Sequence, residues 1–407
     1  MKKAVKQKGK RPTSKLGQLG RLLVSIVRWT FRSVMAALTT VLCLLLVASA
    51  FSDYVNPQLF ITPSFLGIAL GVLLVIALAW GLVLMLTGRW HCLLMLAVTL
   101  LIISSPALRL CPVHLLGGPE PLTQTDEGEA VNVDSIRVFS FNTNLMGQTH
   151  LSRIKEHIPV IDVIRESGAD ICCLQEYGFT LTPGGHTEQE LRSELRDLYR
   201  HYDYMPNDGR KALGIALYTR YPIRKALRID KRHEDYFSAM YYQLEVRGRL
   251  IGLVNMHMRS NMILPKDRLL ADEMIDHFET DSLPRIRSGM MHSLAQAFRL
   301  RAAEAVMLRQ FLIDNHPTDM PLLICGDMND TPVSFCYRSL RQVGLSDTWA
   351  ETGNGPGTTY RQHHFWFRID HMLHSQQLRA LHMRIRRDVR LSDHYPIEAT
   401  FQLLPER

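Results

Sequence analysis

No internal repeat runs through this 407-residue chain, and its seven cysteines fall into no metal-ligand or disulfide-framework spacing. The first absence excludes a solenoid, and the second a zinc ribbon or a small disulfide-stapled scaffold. Cys43 and Cys92 lie in apolar spans, and Cys172, Cys173 and Cys325 in apolar strand-like runs. Core thiols are therefore expected, with a lone disulfide through Cys111 or Cys336 as the alternative. Acid is missing from the first 32 positions, which hold ten Lys or Arg. A basic excess is missing from residues 131–407, where 35 basic residues face 34 acidic ones. The net charge of +8 thus belongs to the N-terminal tail. A duplex-binding domain is usually basic, because neutralised phosphates supply most of its affinity. Nucleic acid is accordingly a disfavoured partner.

Charge is also missing from residues 33–51 and 65–86, and residues 90–108 carry only a histidine. About 20 apolar residues cross a bilayer core, so three transmembrane helices are expected over these segments, within a membrane region of residues 33–110. Ala48-Ser49-Ala50 resembles a signal-peptidase site, but the basic region and the apolar core before it are long for a signal peptide. The basic tail, residues 1–32, should stay in the cytoplasm. Its charge also suits anionic lipid on that face. The loop of residues 52–64 then lies outside, Arg89 inside, and everything after the third span outside. Residues 111–130, rich in Pro, Gly and acid, read as a linker.

From Ser135 the pattern alternates. SIRVFSFNT, ADICCLQE, ALGIALYT, YYQLEV, RLIGLVNMHM and PLLICGD have strand character, as do residues 367–373 and the tail from Tyr395. Residues 154–168 have helical spacing with Gly168 as a stop, and residues 292–314 form a long amphipathic helix. Many strands with few helices predict a layered α/β sandwich, two packed sheets flanked by helices.

Six apolar strands end in oxygen ligands or imidazole: Asn142-Thr143-Asn144, Gln175-Glu176, Asn255-Met256-His257, Asp327-Met328-Asn329, Asp370-His371 and Asp393-His394. Any one of these has a bland reading as turn chemistry, which is the preferred reading for an isolated Asn142 or Asn255. Six in one domain call for more. The carboxylates of Glu176, Asp327 and Asp393, with the amide oxygens of Asn144 and Asn329, suit Mg²⁺ or Mn²⁺ rather than zinc. Such an ion offsets charge developing on a phosphate. His394 is the natural general base, and Asp370 the candidate carboxylate that fixes its tautomer. His257 is placed to bind phosphate oxygens or protonate the leaving group. Asn329 holds the phosphate while Asp327 positions water. His364, His371 and His374 read as surface or rim residues.

The ordered set FNTN, LQE, NMHM, GDMND, RIDHML and SDHYP resembles the endonuclease/exonuclease/phosphatase superfamily, over about residues 131–407. The resemblance implies a four-layered α/β sandwich and Mg²⁺-dependent hydrolysis of phosphodiesters or phosphomonoesters. It places Asn142 near metal and phosphate, Glu176 as the main metal ligand, and His257 as a catalytic histidine. It makes Asp327 and Asn329 the phosphate- and water-orienting pair and Asp370 the partner of the final histidine. Asp393 and His394 become the closing metal-side Asp and the general base. Two features depart from the pattern. Asn144 stands where some DNA-repair members carry an Asp, and a segment from Met258 to His292 follows the His257 strand. In that segment Arg259, Lys266 and Arg268 are candidates to meet phosphate, with a solvated helical insertion as the alternative.

Several spans followed by this domain is the plan of membrane-anchored bacterial members. It implies a plasma (inner) membrane protein with a periplasmic catalytic domain. The expectation is a metal-dependent phosphodiesterase acting on a phosphate ester, a lipid headgroup or a nucleotide diester. An extracytoplasmic nuclease is the alternative, and a non-catalytic binding domain is the alternative of another class.

Overall fold

The computed structural model describes residues 15–114, 135–147, 158–179, 186–207, 210–229, 237–261, 283–362 and 366–405. The chain divides into two compact units, residues 1–47 with 72–103 and residues 48–71 with 104–407. Residues 1–14 of the tail, most of the linker and residues 262–282, including Lys266 and Arg268, lie outside the described residues, as does His364.

The apolar region forms α1 (Lys15–Ala50), α2 (Thr62–Leu86), α3 (Trp90–Ile102) and α4 (Ser104–Leu110). Helix α1 begins upstream of the expected span, so its apolar stretch runs from Leu19 to Ala50. Within the first unit, the Trp80 indole N–H donates to Thr39 Oγ1 at 2.9 Å. Two helices are long and apolar enough to cross a membrane. The third expected span is instead broken at Ile103 into α3 and α4. Pro106 has no N–H to return to Ile102, and its ring crowds that carbonyl. A count of two to three spans replaces the expected three.

The second unit contains two six-stranded sheets. The first has the order β11 (Leu378–Ile385), β12 (Ile397–Leu403), β1 (Ser135–Asn142), β2 (Ile171–Gly178), β4 (Arg210–Thr219), β3 (His201–Asn207). The second runs β5 (Ile223–Arg228), β6 (Ser238–Val246), β7 (Arg249–His257), β8 (Leu322–Asp327), β10 (Asp370–His374), β9 (Ser346–Asp347). Both are mixed: β1 pairs β2 in parallel and β7 pairs β8 in parallel, while the other pairs are antiparallel.

The inner faces meet in one core, where Val138, Ile171, Cys173 and Leu217 of one sheet join Tyr242, Leu253, Cys325 and Met372 of the other. Outside the first sheet lie α5 (Pro159–Ser167) and α6 (Glu188–Glu194), over Phe139, Cys172 and Leu174. Outside the second lie α7 (Leu283–Asn315) and α8 (Phe335–Arg341), over Val254, Met256 and Ile324. The four-layer order follows from this burial. Strands β2 and β8 are covered on both faces, which is why their sequences are unbroken apolar runs rather than alternating ones. All seven cysteines are free, so neither Cys111 nor Cys336 forms a disulfide, and the thiols of the strands are core residues. Helix α5 stops where expected, with Gly168 in the left-handed conformation at its end. Helix α7 starts nine residues before the expected 292, so the late part of the segment after His257 is helical.

Candidate functional site

Strand register assembles the site. In the second sheet His257 pairs with Asp327, and Asp327 with Asp370, so adjacent strands β7, β8 and β10 place these three side chains in one row. In the first sheet parallel pairing sets Asn142 level with Gln175, one residue before Glu176. The β2–β4 ladder is irregular between Leu174 and Tyr177, and Glu176 has φ 44°. This local bulge carries the Glu176 carboxylate to the site. Asn144, Leu145, Met146 and Asn329 also have positive φ. Backbone strain in this unit is therefore concentrated at the strand ends, as expected where a site is being held. Gly326, before Asp327, is required for a different reason. Its φ is 137°, and a Cβ there would sit 2.0 Å from the Met256 carbonyl oxygen on β7.

Asn142 joins the two sheets. Its Nδ2 donates to Glu176 Oε1 at 3.2 Å and to Asp327 Oδ2 at 3.0 Å. Asp327 Oδ1 accepts the Asn329 backbone N–H at 2.7 Å. Asn329 Nδ2 donates to Met258 O at 3.0 Å and to Asp327 Oδ2 at 3.2 Å, so its amide hydrogens are engaged within the site. His394 Nδ1 hydrogen-bonds Asp370 Oδ2 at 2.8 Å, and its Nε2 lies 3.7 Å from Asp327 Oδ2. His257 Nε2 is 3.6 Å from Glu176 Oε1 and 3.7 Å from Asp327 Oδ2, buried and with no hydrogen-bond partner. Asn144 Nδ2 donates to Asp393 Oδ1 at 3.1 Å. All nine residues expected at the site thus converge. Asn144 enters through its amide N–H, which orients Asp393.

Burial and charge set the electrostatics. Burial pushes the Asp327 carboxyl above its usual range, against the opposing pull of His394. At His394 burial favours the neutral ring, but the Asp370 and Asp327 carboxylates prevail and raise its pKa well above the ordinary imidazole value. The same carboxylates therefore stabilise the imidazolium that forms when the ring accepts a proton.

Several partners carry no signal in the sequence. Thr359 Oγ1 accepts the backbone N–H groups of Ile369 and Asp370, both at 3.1 Å. Tyr360 packs edge-on to His394, with ring centroids 5.1 Å apart. Ser392 Oγ donates to Asn142 O at 2.8 Å and accepts the His394 N–H at 3.1 Å, tying the first and last strand ends together. Asn255 is structural, as its isolated reading suggested: its Oδ1 accepts from Gln175 Nε2 at 2.8 Å across the sandwich. His371 and His374 are buried, not surface or rim residues. Burial holds the His371 ring down at about 4, while His374 pairs with Glu351 at 3.1 Å. Arg259 is buried too, and its backbone N–H donates to Glu304 Oε2 at 3.0 Å.

The endonuclease/exonuclease/phosphatase family model matches residues 139–394, a span that includes Asn142 at its start and His394 at its end. The chain belongs to this family. A second model, a domain of unknown function, matches the membrane region at residues 32–108. Sphingomyelin phosphodiesterase 2 of Rattus norvegicus is 22% identical over 228 residues, covering 55% of this chain and 49% of that protein. The human protein of the same name is 23% identical over 55% of this chain and 48% of its own length. The chain spans about half the length of these curated relatives. Among solved structures, an endonuclease/exonuclease/phosphatase from Beutenbergia cavernae gives a TM-score of 0.46 at 16% identity, covering 67% of this chain and 72% of that one.

Proposed function

We propose that residues 131–407 form a divalent-metal-dependent phosphodiesterase, anchored by the preceding helices and acting outside the cytoplasm on the headgroup of a lipid. The observation that carries this reading is the row His257–Asp327–Asp370 with His394 locked onto Asp370, facing the Asn142–Glu176 pair of the other sheet. Two buried imidazoles and a cluster of carboxylates around one gap suit phosphate hydrolysis by water.

The donor set fits a hard divalent ion. Glu176 and Asp393 supply carboxylates, Asn144 supports Asp393, and the partnerless Nε2 of His257 lies beside Glu176 Oε1. Mg²⁺ or Mn²⁺ bound there supplies positive charge against the phosphate oxygens. Asp327, Asp370 and His394 also lie close enough to share an ion, but the 2.8 Å bond between His394 and Asp370 already commits both to each other. In the reaction, Asp370 keeps the proton on Nδ1, and Nε2 takes one from water when the ring is neutral, a form that grows as pH rises because the neighbouring carboxylates raise the His394 pKa. Asp327 accepts the other hydrogen of that water and aims it. Asn142 and Asn329 hold the phosphate by each turning an amide N–H from Asp327 Oδ2 toward it, and His257 donates toward the leaving oxygen.

Topology supports the outer location. The basic tail favours a cytoplasmic N-terminus. The short turn after α1, residues 52–54, and the segment after α4, through Pro112 and His114, both pack on the catalytic domain, as they must if they share one side of the membrane. A lipid headgroup is favoured because a tether at residue 111 keeps the site near the bilayer and because the curated relatives are named for sphingomyelin. The near-neutral charge of the domain argues against a nuclease.

The test is hydrolysis by the full-length protein in detergent micelles, with Mg²⁺, Mn²⁺ or chelator. Substrates are bis(4-nitrophenyl) phosphate, sphingomyelin- and phosphatidylcholine-containing micelles, and oligonucleotides. Metal-dependent turnover of a lipid or small diester that disappears in His394→Ala is expected. Turnover of oligonucleotides alone would overturn the lipid reading, and no turnover of any ester would overturn the enzyme reading.

A further inference from the structure

The turn between the first two apolar helices is built into the catalytic domain. Residues Ser52–Tyr54 form a single 3-10 turn, and the Asp53 side chain is fully buried. Two arginines from distant parts of the chain reach it. Arg109 Nη2 lies 3.1 Å from Asp53 Oδ2, and Arg338 Nη1 lies 3.9 Å from the same oxygen. The Arg338 guanidinium also covers the Tyr54 ring, 3.4 Å from its centroid. Ser52 Oγ donates to the Val333 carbonyl at 3.1 Å. Gly67 allows this approach, since a Cβ there would stand 2.4 Å from Ser52 Oγ and 3.3 Å from Val333 O.

The far ends of these contacts are close to the reacting groups in sequence. Val333 and Arg338 belong to the segment that leaves the site directly after Asp327 and Asn329. That segment is braced from its other side by Arg301, whose Nε is 3.3 Å from Asp330 Oδ2 with both side chains buried. Arg109 extends the clamp to a second strand end. Its carbonyl accepts from Arg368 Nη2, and Arg368 makes a buried 2.8 Å ion pair with Asp347. Arg368 stands two residues before Asp370. Further along, Gly355 N–H donates to Pro112 O at 2.8 Å, and His114 N–H to Asn354 Oδ1 at 2.8 Å. One buried carboxylate on the first extracytoplasmic turn thus ties together the loops that carry Asp327, Asn329 and Asp370. The domain does not merely hang from its anchor.

We infer that Asp53 is a positioning residue for the catalytic site: through Arg338 and Arg109 it fixes the loops bearing Asp327, Asn329 and Asp370, so that full activity requires the first membrane hairpin. This inference rests on the phosphodiesterase reading for its kinetic readout and on the fold alone for its structural one. Misplacement of a reacting group by about 1 Å can cost about a hundredfold in rate, so small shifts of these loops are readable.

The experiment compares wild type, Asp53→Asn and Arg338→Gln as full-length protein in lipid nanodiscs. Asparagine keeps the shape of Asp53 and removes its charge. Arg338→Gln opens the same contact from the domain side if Asp53→Asn does not fold. Two readouts are taken: kcat and KM for bis(4-nitrophenyl) phosphate with Mg²⁺, and amide hydrogen exchange of peptides covering residues 328–341 and 366–374. The expected result is a kcat lowered about ten- to hundredfold with KM little changed, together with faster exchange in both peptides. Wild-type kcat in both variants overturns the inference, even with faster exchange, because the clamp then holds the loops without positioning the chemistry. If wild type hydrolyses no ester, the proposed function falls and exchange alone decides. Faster exchange in both peptides then upholds the clamp, and unchanged exchange refutes it.

Discussion

Replacing Asp370 by Asn tests the division of labour at the site. Asp370 and His394 share one 2.8 Å hydrogen bond, and both are nearly inaccessible, at 3% and 4% exposure. Water therefore cannot take over the role of the carboxylate. The amide that replaces it is near-identical in shape but offers an N–H as readily as a carbonyl. An N–H directed at Nδ1 places the ring proton on Nε2, where it blocks proton abstraction. It also removes the first of the carboxylates that hold the imidazolium. Asp327, 3.7 Å from Nε2, remains and limits the loss. General-base catalysis is worth about two to four decades, or about 2.7 to 5.4 kcal/mol at 1.36 kcal/mol per decade. We expect Asp370→Asn to lower kcat within that range. The metal concentration giving half-maximal activity should stay unchanged, since Asp370 is committed to His394. Steady-state hydrolysis of bis(4-nitrophenyl) phosphate across a Mg²⁺ titration measures both quantities. A loss below about tenfold, or a loss restored by excess metal, would refute the assignment of Asp370 as the partner of His394.

Other expectations follow from the same geometry. Glu176→Gln should raise the metal requirement by about tenfold or more, with activity partly recovered at high Mg²⁺; calorimetric binding unchanged from wild type would remove Glu176 from the metal site. Gly326→Ala should destabilise the domain by about 3 kcal/mol or prevent folding, through strain at φ 137° and collision with the Met256 carbonyl; thermal unfolding near the wild-type midpoint would contradict this. Asp347→Asn strands the buried Arg368 guanidinium and should cost about 3 to 5 kcal/mol. Although burial opposes it, the Arg368 guanidinium holds the Asp347 carboxyl below its usual range. Its contribution is therefore fully present above about pH 4 and is lost as pH falls through the depressed value. The stability gap between wild type and Asp347→Asn should be constant from pH 5 to 8 and narrow in stronger acid. A gap that widens as pH falls would show the sign to be wrong.

Much of the site was legible because most of the chemistry sits where strands β1, β2, β7 and β8 end; Asp370 instead opens β10, and Asp393 and His394 lie in the turn before β12, so these two expected strand ends are strand beginnings. Those strands are buried on both faces or nearly so, which makes them continuous apolar runs with an abrupt polar stop. Strands β3, β5 and β11 were not legible. β5, IRKALR, is an edge strand with three exposed residues in succession and no alternation to read. Thr359 was invisible for another reason: it acts by accepting two backbone N–H groups from a loop of no regular period. The histidines near β10 were misread because polarity was taken for exposure. His371 Nε2 meets the Asp330 carbonyl at 3.0 Å, and His374 pairs with Glu351. The third apolar segment has the composition of a span, but one proline placed its break. The docking of Asp53 had no local signature, since its arginines lie 56 and 285 positions away.

That separation imposes an order on biosynthesis. Val333 is 281 residues downstream of Ser52. At ordinary translation rates the turn waits roughly 15 to 55 seconds before its partner segment has been made. During that time Asp53 has no catalytic domain to bury it. Residues 330–338 can close over this turn only after that interval. On the proposed topology, a chain whose first hairpin entered the membrane in the wrong sense would present no Asp53 to Arg338. Its Arg338 would be left without that carboxylate, so on the same proposal correct insertion would be a condition for a finished enzyme.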